Sequence, residues 1–339
     1  FLMVLAVAAT ASLQGWRTLY NNFAEGVALL DGGQIGVIQS VREIPGFLAL
    51  GAVYVLFVLR EHTLAALSVL VLGVGVAMTG FFPSFTGLAL TTLVMSFGFH
   101  YYETMNQSLT LQYFDLGEAP RMLGRVKSVQ AMTNIAVGGM IIALSQVLDF
   151  VALFCVFGAV GVAAGAWALL RDPSSARVPP QGRKLVLRRR YWLFYALTFL
   201  AGSRRQIFVA FAVFLLVEKF HYPVMAVAAL FVANNVINAV ANPLLARAVN
   251  RFGERKVLSL EYAGLAIVFA GYAVVEDPWL AGALYVADNL LFNFAMAVRT
   301  FFQKIADTGD IASGMAVGFT VNHVAAVVVP ALGGLLWLV

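Results

Sequence analysis

"RDPSSARVPPQGRKLVLRRR", residues 171–190, interrupts a chain of 339 residues that is 61% hydrophobic and only 12% charged. Its prolines oppose a continuous helix, and its seven basic residues oppose burial in lipid. Outward from it, in both directions, run apolar stretches of about 20 residues or more, the length needed to cross a bilayer as a helix. They are continuous rather than alternating, so they read as helices and not as barrel strands. A soluble domain is nearer a quarter charged. The sequence therefore predicts an all-α integral membrane protein, with a mean hydropathy of +0.86.

Eleven membrane segments are expected, at 1–29, 34–59, 63–82, 84–112, 124–146, 149–170, 191–217, 223–247, 256–275, 279–302 and 312–339. Both ends of the chain lie inside apolar segments, which predicts truncation at both termini and a twelfth helix after residue 339. The expected organisation is an N-terminal bundle of six helices (1–170), a linker (171–190) and a C-terminal bundle with five helices visible (191–339). Cys155 is the single cysteine and the four histidines lack metal-ligand spacing, so no metal or other cofactor is expected.

Charge sets the expected orientation. Loops after the even-numbered segments carry sixteen Lys/Arg, including Arg60, Arg121, Arg171, Arg247, Arg251 and Lys304, and the opposite loops carry only Lys219. The positive-inside rule puts the basic loops and both termini in the cytoplasm. A bacterial inner (plasma) membrane is the expected location. The net charge of +5 follows from these loops and predicts no nucleic-acid partner.

Five arginines remain inside segments: Arg17, Arg42, Arg204, Arg205 and Arg299. Each costs about 2.5–3.5 kcal/mol at a helix centre on insertion scales. Arg299 is near a segment end and can snorkel. The acidic companions considered for the rest are Glu25, Glu43, Glu103 and Asp288. In the first segment Gln14, Arg17, Asn21 and Glu25 share a face. In "HYYETMNQ" (100–107), His100, Glu103 and Gln107 share another, with Asn106 beside them, and Glu103 is the leading candidate for a titrating carboxylate. In "QSVREIPG" (39–46), Arg42 and Glu43 are adjacent, point about 100° apart and are not expected to form one simple pair. Pro45 is expected to bend that helix or free backbone groups. "ANNVINAVANP" (233–243) carries Asn234, Asn238 and Asn242 at i, i+4 and i+8, a row suited to holding helices together. Asp288, Asn289 and Asn293 lie in the tenth segment, where Asp288 can pair with Arg204 or Arg205 or carry a proton.

An internal repeat relates the two halves. "RTLYNNFA" (17–24) aligns with "RQIFVAFA" (205–212): the arginine, the phenylalanine six on and the alanine seven on coincide. Both lie in the first helix of a half, so Arg17 and Arg205 are repeat mates.

With "ARAVNRFGERKVL" (246–258) the chain resembles the major facilitator superfamily. This run is similar to the family's cytoplasmic loop motif, with Gly253 at the turn and Asn250 where the family usually has Asp. The equivalent stretch "VLREHTLAAL" (58–67) has lost the glycine, and its one acid, Glu61, follows the base. The glycine-rich runs "MLGRVKSVQAMTNIAVGGMI" and "IASGMAVGFTVNHVAAVVVPALGG" resemble the family's fifth and eleventh helices. The resemblance implies two six-helix bundles, a monomer and a midplane site between internal repeats.

No phosphate-binding glycine loop, nucleophile–base pair or metal constellation is visible, so an enzyme is not expected. The leading expectation is a secondary transporter of a small organic, anionic solute. Arg presents a planar fork that suits carboxylate or phosphate. The substrate-binding candidates are Arg17, Arg205, Asn21, Tyr20, Glu103, Gln107, Asn235 and Asn293. Trp16, Tyr101, Tyr102 and Phe208 are further aromatics able to enclose an organic group. Proton coupling falls to Glu103, Asp288 and Glu25, and gating to Arg42, Glu43, Asn250, Arg251 and Gly253. One alternative is proton-coupled efflux of amphipathic or cationic compounds through Glu25, Glu103 and Asp288. Another is a non-transporting membrane receptor or assembly subunit. The structural alternative for Arg17 is an ion pair with Glu103.

Overall fold

A computed structural model describes all residues except 174–184, 207–211, 213–214, 217–218, 223 and 338–339. The described residues form helices α1 (Leu2–Gly26), α2 (Gly32–Phe47), α3 (Gly51–Val55), α4 (Glu61–Thr79), α5 (Phe85–Tyr113), α6 (Ala119–Leu144) and α7 (Phe150–Leu169). These are followed by α8 (Trp192–Gln206), α9 (Val224–Phe252), α10 (Glu254–Val274), α11 (Pro278–Phe292), α12 (Met296–Ile305) and α13 (Ile311–Trp337). Among the described residues, six spans, Glu61–Thr79, Ala119–Leu144, Phe150–Leu169, Ala229–Phe252, Glu254–Val274 and Pro278–Ile305, are long and apolar enough to cross a membrane.

Helix starts follow local chemistry. Asp31 Oδ1 accepts the Gln34 amide at 2.8 Å while Gln34 Oε1 accepts the Asp31 amide at 3.1 Å, a reciprocal capping box at α2. Asp149 caps α7 by accepting the Ala152 amide, and Asp277 caps α11 by accepting the Leu280 amide. Between α9 and α10, Gly253 takes φ +80°, a region costly for any residue with a Cβ.

Among the described residues, two of the expected segments are each broken into two helices. The segment carrying Pro45 gives way to a 3-10 turn at Leu48–Leu50. Thr320 Oγ1 there accepts the Leu50 amide at 3.0 Å and donates to the Phe47 carbonyl at 3.2 Å. Tyr101 Oη donates to the Leu48 carbonyl at 3.3 Å. Backbone groups released by the break are thus paired again by neighbouring side chains, as a low-dielectric setting requires. The second break, Asn293–Ala295, separates α11 from α12.

Packing divides the chain into two compact units that do not follow chain order. Unit 1 comprises Phe1–Tyr113, Thr133–Val186 and Asp307–Thr320, and unit 2 comprises Phe114–Met132, Leu187–Ala306 and Val321–Val339. Helices α6 and α13 each contribute to both.

In unit 1, α4 packs on both α5 and α7, and α1 packs on α7. A Cβ on Gly73 would lie 2.5 Å from the Gly158 carbonyl oxygen, so only a missing side chain lets α4 and α7 approach this closely. Ser12 Oγ donates to the Phe157 carbonyl at 2.8 Å, tying α1 to α7. Trp16, Tyr20, Phe23, Phe154 and Phe157 fill the core beneath, with Phe23 edge-on to Phe154 at 5.3 Å.

Unit 2 has an apolar core of Ala212, Leu216, Val275, Ala281 and Tyr285. Lys219 Nζ donates to the Val275 carbonyl just past α10 at 2.7 Å, a favourable place for a cation. The start of α6 packs on α9: a Cβ on Gly124 would meet the Asn242 carbonyl and the Ala246 methyl, and Ser128 donates to the Ala239 carbonyl.

Candidate functional site

On α1 the predicted polar stripe is real. Arg17, Asn21 and Glu25 are exposed and Gln14 is half-buried, whereas Trp16, Leu19, Tyr20 and Phe23 on the other side are buried. Tyr20 is turned into the core, where its ring lies 4.4 Å from that of Trp16. It is therefore separated from the exposed stripe that carries Arg17 and Asn21.

On α5, His100, Glu103, Asn106 and Gln107 are all buried. Gln107 Nε2 donates to Glu103 Oε1 at 2.9 Å, one turn away. Ser96 Oγ donates to the Arg42 carbonyl and lies 2.9 Å from His100 Nδ1, which is also 2.9 Å from the Ser96 carbonyl. With the Ser96 proton committed to Arg42, Nδ1 is the donor to Ser96. Tyr101 holds the α2 break and Tyr102 is fully buried.

Arg42 and Glu43 correct the sequence expectation. They do pair: Arg42 Nη2 lies 2.8 Å and Nε 3.2 Å from Glu43 Oε1. Their backbones diverge by about 100°, but a long guanidinium arm folds back across that angle. Both side chains are only half-buried, at 23% and 31% exposed, which leaves room for the arm to curl.

A buried charge cluster lies in unit 2. Arg204 Nη1 on α8 lies 2.9 Å from Glu261 Oε1 on α10. Arg204 Nη2 donates to Asp288 Oδ1 at 3.2 Å and to the Asp288 carbonyl at 3.1 Å, both on α11. The Phe292 ring covers the guanidinium at 4.8 Å. All three charged side chains are 7% exposed or less. Asp288 therefore pairs with Arg204, while Arg205 is half-buried beside it. Glu261 was missed by the sequence reading. Its signal was present: an acid in an apolar segment, with no base on its own helix near enough to explain it.

Asparagines bind unit 2 together. Asn293 Nδ2 donates to Asn238 Oδ1 at 2.7 Å and to the Asn289 carbonyl at 3.1 Å, joining α9 to the break before α12. Asn235 Nδ2 donates to the Phe231 carbonyl one turn back. At the predicted loop motif, Asn250 Nδ2 donates to the Gly117 carbonyl at 2.6 Å. The Arg251 guanidinium lies over the Phe252 ring, and Lys304 Nζ pairs with Glu254 at 2.7 Å. In the corresponding stretch of unit 1, Glu61 Oε2 accepts from Ser108 Oγ and Gln112 Nε2, and Arg60 pairs with Asp172 at 3.0 Å. Phe208 and the centre of the 171–190 linker lie outside the described residues.

Stacked apolar helices, breaks re-paired by side chains, and ion clusters buried at helix depth define a polytopic helical membrane protein. The Major Facilitator Superfamily sequence model matches residues 1–330, and the chain belongs to that family. It is a membrane transporter and not an enzyme. No curated protein matches it in sequence. Among solved structures it is similar to a bacterial homologue of the iron transporter ferroportin in an outward-facing state, at 14% identity and a TM-score of 0.77, covering 98% of this chain and 91% of that one. It is also similar to the E. coli fucose:proton symporter, at 12% identity, TM-score 0.78, and coverage of 99% and 90%. A third is the human organic anion transporter MFSD10, at 12% identity, TM-score 0.73, and coverage of 98% and 91%. At these identities the likeness is one of fold.

Proposed function

We propose that this chain is a secondary transporter of a small organic anion, working by alternating access of two six-helix halves, with Arg17 and Arg205 each supplying one arm to the anion. What carries this reading is the repeat itself: the two arginines occupy matching places in the first helix of each half. Local structure supports it. Arg17 stands on the exposed face of α1 beside Asn21, and Arg205 follows Arg204 on α8 and is half-buried. Each guanidinium offers a fork of donors that matches carboxylate or phosphate oxygens. Such a ligand offsets the cost of holding arginine away from water. The structures of similar fold include an organic anion transporter, a sugar:proton symporter and an iron transporter homologue, so fold alone leaves the solute class open. The proposed setting is a bacterial plasma membrane with the basic loops cytoplasmic.

The test begins with a thermal-shift screen of carboxylates and organophosphates, followed by calorimetric titration of a hit. Arg17→Lys and Arg205→Lys keep the charge and lose the fork. Each is expected to weaken binding about tenfold or more, about 1.4 kcal/mol, and the double replacement to cost little more than either single. Single variants that bind as tightly as the unaltered protein overturn the reading.

A second reading has one observation in its favour. Two acids on one buried arginine suit proton coupling, as the efflux alternative requires of Asp288.

A further inference from the structure

Arg204, Glu261 and Asp288 present a charge imbalance in a dry place. Two carboxyls converge on one guanidinium, with side-chain exposures of 2% and 0% against 7% for the arginine. Were both carboxyls ionised, the cluster would hold a net negative charge, with no second cation paired to either acid among the described residues. Burying an unpaired charge is far more costly than burying a neutral acid. One bound proton brings the cluster to neutrality.

The geometry points the same way. Each carboxyl spends one oxygen on Arg204, and the other oxygens, Glu261 Oε2 and Asp288 Oδ2, are buried with no hydrogen-bond partner among the described residues. An ionised carboxylate needs donors on both oxygens when water is excluded. A protonated one keeps its carbonyl oxygen on Arg204 and places its hydrogen on the unpaired oxygen. Asp288 is the weaker partner: its Oδ1 sits at 3.2 Å and shares Nη2 with its own backbone carbonyl, whereas Glu261 Oε1 holds Nη1 alone at 2.9 Å.

The titratable groups near these acids include Tyr262 and Tyr272 on α10 and Tyr285 on α11. All three are neutral at physiological pH and supply no counter-charge. Arg205 is next in the chain on α8 and half-buried, and Arg299 on α12 is half-buried. On the other packed elements, Arg247, Arg251, Arg255, Lys256 and Lys304 are exposed, and Glu254 is taken by Lys304.

We propose that Arg204, Glu261 and Asp288 form a proton-binding site in which the two carboxyls share one exchangeable proton. Binding forms one O–H bond on a carboxylate and needs no other reactant. The proton belongs to the pair, so removing either acid abolishes the site, because the survivor pairs one-to-one with Arg204 and stays ionised. Loss of the proton leaves the cluster net negative, which favours hydration and separation of α8, α10 and α11. A role for this proton as the coupling ion rests on the secondary-transporter reading; the proton count does not.

Infrared spectroscopy of the purified protein in nanodiscs at pH 7 tests the count. The unaltered protein is expected to show the carbonyl-stretch band of a buried protonated carboxylic acid. Glu261→Gln and Asp288→Asn should each lose it, and Arg204→Gln should strengthen it, since both acids then need protons. A second measurement serves if a variant is too unstable for spectra: unfolding the unaltered protein in detergent at pH 7 should release one proton more than unfolding either carboxamide variant. Absence of the band in the unaltered protein, its survival in both single variants, or equal proton release overturns the proposal.

Discussion

Asn250 Nδ2 donates to the carbonyl oxygen of Gly117 at 2.6 Å. Family members usually carry Asp at the Asn250 position, and the partner here explains the difference. A carbonyl is an acceptor, so the opposing side chain has to donate. An amide does so and a carboxylate cannot. Asn250→Ala should cost about 0.5–1.5 kcal/mol, toward the lower end because Asn250 is exposed. Asn250→Asp should cost more than the alanine, since it sets two acceptors against each other. Thermal unfolding of the two variants in one detergent checks the order, and an aspartate variant as stable as the parent removes the explanation.

Among the described residues, Arg204 is the one cation paired with Glu261 and Asp288. Arg204→Leu should destabilise by about 3–5 kcal/mol, the usual penalty for breaking a buried ion pair. Both acids must then take protons to stay buried, so the folded form of the variant binds more protons than the unfolded form. Stability falls as pH rises under that condition. Melting temperatures across acidic to neutral pH should therefore diverge, with the variant recovering toward the parent at low pH. A constant offset at every pH would contradict this.

Thr320 serves both sides of the Leu48–Leu50 turn, accepting from Leu50 and donating to Phe47. Thr320→Val keeps the shape but orphans one donor and one acceptor, and should cost about 1–3 kcal/mol. Thr320→Ser keeps the hydroxyl and should recover most of that loss. If valine and serine melt together, the hydroxyl is not what holds the break.

Gly73 faces backbone on α7. A Cβ there would lie 2.5 Å from both the Gly158 carbonyl oxygen and the Val162 nitrogen, neither of which can swing aside. Gly73→Ala should therefore push α4 from α7 and cost about 1–3 kcal/mol. Gly26→Ala is the control, with open space around its Cβ position. Equal melting of the two variants would mean that the helices part without strain.

Part of the site was legible in the residues. The α1 stripe follows from three-to-four spacing, and Gly253 at a tight turn follows from its place between two basic runs. Asp288 was recognised as a partner for Arg204 or Arg205. Arg42–Glu43 went the other way, because spacing fixes where a side chain leaves the helix and not where a long one ends. Glu261 escaped because its partner lies 57 residues away in sequence. No local pattern marks which distant helix will bring a guanidinium to it.

By itself the sequence determined the class of fold: apolar runs long enough to cross a bilayer, the proline expected to bend the second of them, the basic bias of alternate loops and the repeat that matches Arg17 to Arg205. These are properties of a helix and its immediate neighbours, written in period, length and charge. Only the tertiary structure decided that Arg204 joins Glu261 to Asp288, that Thr320 repairs the turn after Pro45, and that α6 and α13 each divide between two packing units. The physical reason is that lipid is as apolar as the helices it surrounds. The choice of neighbours then falls to close packing and to polar groups that must be paired, and both depend on residues far apart in the chain.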